Sequence, residues 1–183
     1  MKKILFILIM LFNFFNNASA NYSQLAYAHN FIGIEGEAIN LSDYKNKIII
    51  VVNVASRCGF TGQYEDLQKL WETYRNNDII IIGVPTNNFN QEPGTNEDIK
   101  TFCETTFGVS FLMTQKLNVL GDDAHPFYKW AKENHGNSAV PKWNFHKIII
   151  GKDGKVNETF TSITNPSSTK FIKYIEKQIK NFN

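Results

Sequence analysis

The stretch "IIIVVNVA", residues 48–55, constrains the fold more than any other part of the chain. A run this rich in β-branched residues is apolar on both strand faces, so it belongs in the middle of a sheet covered on both sides. A second such run, "DIIIIGVP" (78–85), follows it. Between the two, Tyr64, Leu67, Leu70, Trp71 and Tyr74 recur at helical spacing within "GFTGQYEDLQKLWETYRNN". Strand, helix and strand in that order form a parallel βαβ unit with a right-handed crossover.

The flanking segments extend this unit. "FIGIEGEAINLSDYKNK" reads as an N-terminal β-hairpin turning at Glu35-Gly36, where glycine suits a positive φ. "TNNFNQEPGTN" is a polar loop. "TNEDIKTFCETTFG" predicts a short helix capped by Thr95 or Asn96, with Gly108 after its end and Cys103 close to that end. "AHPFYKWAKEN" predicts a further helix ended by Gly136, and "FHKIIIGKDGKVNETFTS" a hairpin turning at Asp153-Gly154. The closing "NPSSTKFIKYIEKQIK" sets Phe171, Ile172, Ile175 and Ile179 on one helical face. The expectation is one α/β domain, a central mixed sheet with helices on both faces.

The first twenty residues read differently. "MKK", the apolar run Ile4 to Phe12 and the small-residue pattern Ala18-x-Ala20 form a secretory signal peptide cleaved after Ala20. The apolar run is too short to span a membrane, which takes about 20 residues. The mature domain is then 21–183, exported to the periplasm or secreted, without stable membrane association. Losing Lys2 and Lys3 leaves 17 basic against 17 acidic residues, which gives no electrostatic case for binding nucleic acid.

The chain has two cysteines. In an exported protein, two cysteines most simply form one structural disulfide. Cys58 has a second reading. It follows a buried strand, at the sheet edge where α/β folds bind ligands, and stands in the first turn of the next helix. A helix N-terminus stabilises a thiolate, and Arg57 adds positive charge beside it. Position alone leaves both readings open.

The surrounding words decide between them. "NVASRCGFT" resembles the active-site segment of the glutathione peroxidase family. "GVPTNNFNQEPGTNEDI" and "PKWNFHKIII" resemble that family's second and third motifs, and "FCETTFGVSF" the segment carrying a resolving cysteine in its thioredoxin-dependent, non-selenium branch. The resemblance implies a thioredoxin-like fold and peroxidase activity. It implies that Cys58 is the peroxidatic residue, that Trp143 and Asn144 hydrogen-bond the active sulfur, and that Cys103 resolves the oxidised form. At one point the chain departs from the pattern. Asn88 stands where the family has glutamine, in a loop one residue shorter than the pattern, so Asn88, or else Gln91, supplies that carboxamide.

These residue types suit the reaction. A thiolate attacks one oxygen of a peroxide, and the departing oxygen needs donors, which an indole N–H and a carboxamide provide. The product is a sulfenic acid on Cys58, which a second thiol converts to a disulfide. The expected substrates are hydrogen peroxide and organic hydroperoxides. The expected reductant is a thioredoxin-like protein, with glutathione as the alternative: few basic residues, chiefly Arg57 and Lys142, are at hand to grip the glutathione carboxylates, and glutathione is not expected to be held reduced in an envelope. A thiol–disulfide relay or sensor on the same fold, and a binding domain with a static bridge, are the competing functions; the former lacks a Cys-x-x-Cys motif. No cofactor or metal is expected, since His29, His125, His135 and His146 lack ligand spacing and "GKDGK" is a turn rather than a phosphate loop. Passage from "KENHGNSAV" straight into "PKW" leaves no room for the insertion carried by tetrameric relatives, so a monomer is expected.

Overall fold

The protein is described from a computed structural model covering Tyr22 and residues 24–180. The signal peptide expected over 1–20 lies outside the described residues. Among those described, no helix is long and apolar enough to cross a membrane.

The two apolar runs form the centre of the sheet. Strand β3 (Ile48–Val54) and strand β4 (Ile79–Pro85) are buried at every position and pair in parallel from Ile48↔Ile79 to Val54↔Pro85. Alternation divides their side chains between two cores. Ile48, Ile50, Val52 and Val54 face one core, packed with residues of helices α1 (Gln63–Tyr74), α2 (Asn96–Phe107) and α4 (Thr169–Lys180). Ile49 and Val51 face the other, against α3 (Pro126–His135) and the N-terminal hairpin. Each such side chain removed from water contributes roughly 1.5–3 kcal/mol, so these runs fix the layering.

The hairpin forms as expected. Strands β1 (Asn30–Ile32) and β2 (Ala38–Asn40) pair antiparallel, and Gly36 turns at φ 97°. Strand β6 (Lys147–Ile150) pairs antiparallel with β3 and with β7 (Val156–Phe160), turning at Gly154 with φ 76°. A two-residue strand β5 (Leu112–Met113) completes the order β5-β4-β3-β6-β7. Two residues are too short for any periodicity to show, so β5 is absent from the sequence reading. The mixed sheet with helices on both faces is the thioredoxin-like fold.

Two placements differ from expectation. Helix α1 begins only at Gln63, because Cys58 to Gly62, with glycines at 59 and 62, makes successive turns: Thr61 N–H donates to Cys58 O at 3.2 Å and Gln63 N–H to Phe60 O at 2.9 Å. Cys58 therefore precedes the helix instead of occupying its first turn. Cys103 lies within α2 rather than near its end, two turns past a capping box in which Thr95 and Asp98 bond each other's backbone N–H.

Candidate active site

Cys58 lies just past the carboxyl end of β3 and is only 5% exposed. Its Sγ accepts from the Phe60 N–H at 3.4 Å, which is the sulfur's hydrogen bond among the described residues. The loop after β4 is bound closely to this turn. Arg57 N–H donates to Gln91 O at 3.0 Å, and Ser56 N–H to Glu92 Oε2 at 2.7 Å, while Ser56 Oγ bonds Glu92 Oε1. Glu92 is fully buried, and desolvation raises its carboxyl above the ordinary range although the Ser56 bonds oppose this. A depression of about 450 Å³ lined by Ser56, Arg57, Pro93, Gly94, Asp98 and Phe102 opens beside it. A larger cavity, about 550 Å³ under α3, includes neither cysteine in its lining.

The Trp-Asn-Phe segment is drawn to the same edge by a polar residue inside β3. Asn53 Nδ2 donates to Trp143 O at 3.1 Å, and Asn53 O accepts from Phe145 N–H at 2.6 Å. Phe145 adopts φ 63°, a left-handed conformation that strains a bulky residue. Around this bend Asn144 is fully buried, while Trp143 is 41% exposed and rests on Phe89 with ring centroids 5.3 Å apart. The Asn144 carboxamide donates to Gln91 Oε1 at 2.8 Å, and its Oδ1 is buried without a partner. Neither Trp143 nor Asn144 hydrogen-bonds Cys58 in this state.

Asn88 is committed elsewhere. Its Oδ1 accepts from Val119 N–H at 2.6 Å, Leu120 N–H at 3.3 Å and Thr86 Oγ1 at 3.0 Å, and its Nδ2 donates to Asn118 at 3.5 Å. It staples the 118–120 segment to β4. The expectation that Asn88 faces the sulfur is corrected: its shorter side chain is spent on these amides, and Gln91 is the carboxamide joined to Asn144.

Cys103 is 1% exposed, unpaired, and part of the same buried cluster as Cys58. Burial pushes its thiol up to about 11. Sequence reasoning missed Glu92, Ser56 and Asn53. Asn53 had a visible signal, the one polar residue inside a β-branched run. Among the described residues no cluster of three metal-ligating side chains occurs.

A sequence model of the glutathione peroxidase family matches residues 26–132. The chain belongs to the glutathione peroxidase family. It is 43% identical over 157 residues to the glutathione peroxidase of Lactococcus lactis subsp. cremoris, covering 84% of this chain and 96% of that one. It is 39% identical over 152 residues to the glutathione peroxidase-like peroxiredoxin HYR1 of Saccharomyces cerevisiae, covering 80% and 93%. The crystal structure of apo Trgpx superposes with a TM-score of 0.68 at 35% identity, covering 86% and 97%. This glutathione peroxidase relative is a thiol peroxidase that reduces hydroperoxides.

Proposed function

We propose that Cys58 is the peroxidatic thiol and Cys103 the resolving thiol, with a thioredoxin-like protein as reductant. The observation that carries this reading is the placement of two unpaired cysteines in one buried cluster, Cys58 at the ligand-binding edge of the sheet and Cys103 in the adjoining helix α2. A relative named a peroxiredoxin supports a cysteine-based cycle.

The Cys58 thiolate attacks the nearer oxygen of hydrogen peroxide or an organic hydroperoxide. The O–O bond breaks, Cys58 becomes a sulfenic acid, and the leaving oxygen takes a proton to depart as water or an alcohol. Trp143 at the rim and the Gln91–Asn144 carboxamide pair supply donors to the sulfur and the departing oxygen. Cys103 then attacks the Cys58 sulfur, forming the disulfide and releasing water. The bridge needs Cα atoms within about 7 Å, and because both cysteines are buried, α2 opens locally around Cys103 to present the disulfide to a reductant. The last turn of α2 is closed by Gly108 and Val109 N–H groups on the Cys103 carbonyl. A reductant dithiol exchanges with the exposed disulfide. Export to the periplasm or medium, and a monomeric state, belong to this reading.

Steady-state peroxide consumption with thioredoxin and with glutathione tests the proposal. Cys58→Ser is expected to abolish turnover, and thioredoxin is expected to sustain it better. Wild-type activity in Cys58→Ser, or a strong preference for glutathione, overturns it.

A further inference from the structure

Tyr64, in the first turn of α1, is fully buried, and its hydroxyl lacks a partner that would satisfy a buried phenol. An unsatisfied buried hydroxyl costs about 1–3 kcal/mol, and a phenylalanine would fill the same space without that cost. The ring is held on three sides. It meets Phe145 edge-on at 5.2 Å, stacks on Phe107 at 5.4 Å and meets Phe102 edge-on at 6.4 Å. Phe102 and Phe107 flank Cys103 on α2, whereas Phe145 belongs to the Trp-Asn-Phe segment beside Cys58. The hydroxyl thus sits where the two cysteine-bearing segments meet. Burial, the Cys103 thiol, the Glu92 carboxyl from the loop after β4 and Cys58 all act to hold this hydroxyl protonated.

We infer that Tyr64 is a positioning residue of the resolving step, its hydroxyl donating to the Cys103 sulfur and holding it as the nucleophile that attacks oxidised Cys58. The inference rests on the two-cysteine reading above. In the step, the Cys103 S–H bond breaks and its sulfur forms the S–S bond to Cys58. The Cys58 S–O bond breaks, and the departing hydroxide leaves with the Cys103 proton as water. Burial holds the Cys103 thiol protonated, and Glu92 and Glu104 act in the same direction, whereas the Tyr64 hydroxyl favours the thiolate. Tyr64 is anchored in α1, so it stays at the sheet edge while α2 opens and can accompany the sulfur toward Cys58. Cys58 itself requires nothing of Tyr64 for the first oxidation.

The test is single-turnover chemistry on the reduced full chain. Peroxide is added, samples are quenched with an alkylating agent, and mass spectrometry follows loss of the Cys58 thiol and growth of the Cys58–Cys103 disulfide. In Tyr64→Phe, Cys58 oxidation is expected at the wild-type rate. Disulfide formation is expected to slow about tenfold near pH 7, its pH profile displaced upward by about one unit. Phe107→Leu disturbs the same packing and keeps the hydroxyl, so it is expected to leave that profile in place. An unchanged disulfide rate and profile in Tyr64→Phe overturns the role of Tyr64 alone. Equal slowing of Cys58 oxidation, or a displaced profile in Phe107→Leu, makes Tyr64 merely structural and also overturns it. A wild type that oxidises Cys58 without forming the disulfide overturns the two-cysteine reading, and the role of Tyr64 with it.

Discussion

The Asn144 carboxamide donates to Gln91 Oε1 at 2.8 Å, while Gln91 O accepts from the Arg57 amide next to Cys58 at 3.0 Å. This one glutamine joins the Trp-Asn-Phe segment to the turn that carries the thiol. Asn88, three residues earlier, bonds the 118–120 amides instead.

Gln91→Ala is therefore expected to lower kcat/KM for peroxide on the order of 10²-fold, the usual effect of losing a donor at developing charge. Asn88→Ala is expected to leave the peroxide step within a few-fold and to cost stability instead, about 1–3 kcal/mol for the unpaired buried amides. Asn88→Gln forces a longer amide against the 118–120 segment and is expected to destabilise without activating. Stopped-flow kinetics and chemical denaturation separate the two positions. A peroxide step that fails in Asn88→Ala and survives in Gln91→Ala reverses the assignment.

Trp143→Phe keeps a ring to rest on Phe89 and removes the indole N–H. Because the side chain is 41% exposed, its melting temperature is expected to change little. Peroxidase activity is expected to fall on the order of 10²-fold. Full activity in a folded variant would mean that the indole is not a donor in the reaction.

Cys103→Ser retains the peroxidatic thiol and loses the resolving one. Mixing with one equivalent of peroxide is expected to consume it and leave a trapped Cys58 sulfenic acid, with no thioredoxin-supported turnover. Normal turnover of this variant with thioredoxin contradicts the cycle.

Two adjacent buried cations-in-waiting tune stability with pH. Burial and the Lys147 and Lys142 charges lower His146 to about 4, and burial lowers Lys147 to about 7. The unfolded chain binds a proton at His146 near pH 6.5 that the folded chain refuses until about pH 4. Stability is expected to fall between those values as pH drops, by about 3 kcal/mol from this residue. For Lys147 the unfolded chain holds its proton to about pH 10.5, so this residue makes stability rise with pH from about 7 to 10.5. His146→Leu is expected to flatten the acid slope and Lys147→Met the alkaline one in denaturation series. Unaltered slopes would show that these side chains are not the titrating groups.

Helix α3 ends at His135, one short 3-10 turn (Gly136–Ala139) follows, and Trp143 comes four residues later. Without an intervening element to build an interface there, the protein is expected to be a monomer. Concentration-independent scattering of a tetramer contradicts this.

The order of strands and helices was legible in the chain because it depends on local patterns. The runs at 48–55 and 79–85 have no arrangement in water other than burial on both faces, and Tyr64, Leu67 and Leu70 repeat at the helical period. The motif words likewise singled out Cys58 and Cys103, which the fold sets unpaired in one buried cluster. The role of individual polar side chains was not legible, because it depends on which loops meet at the sheet edge. Asn88 and Gln91 carry the same carboxamide chemistry three positions apart, and only the pairing of the 86–95 loop with residues 56–57 and 118–120 separates them. Tyr64 reads as one more apolar stripe residue until the fold buries its ring between Phe102 and Phe107 of α2 and Phe145, in one cluster with both cysteines. Periodicity along one chain reports what a side chain turns away from, water. Contact between segments far apart in sequence decides what it turns toward, and that exists only once the sheet has brought their ends together.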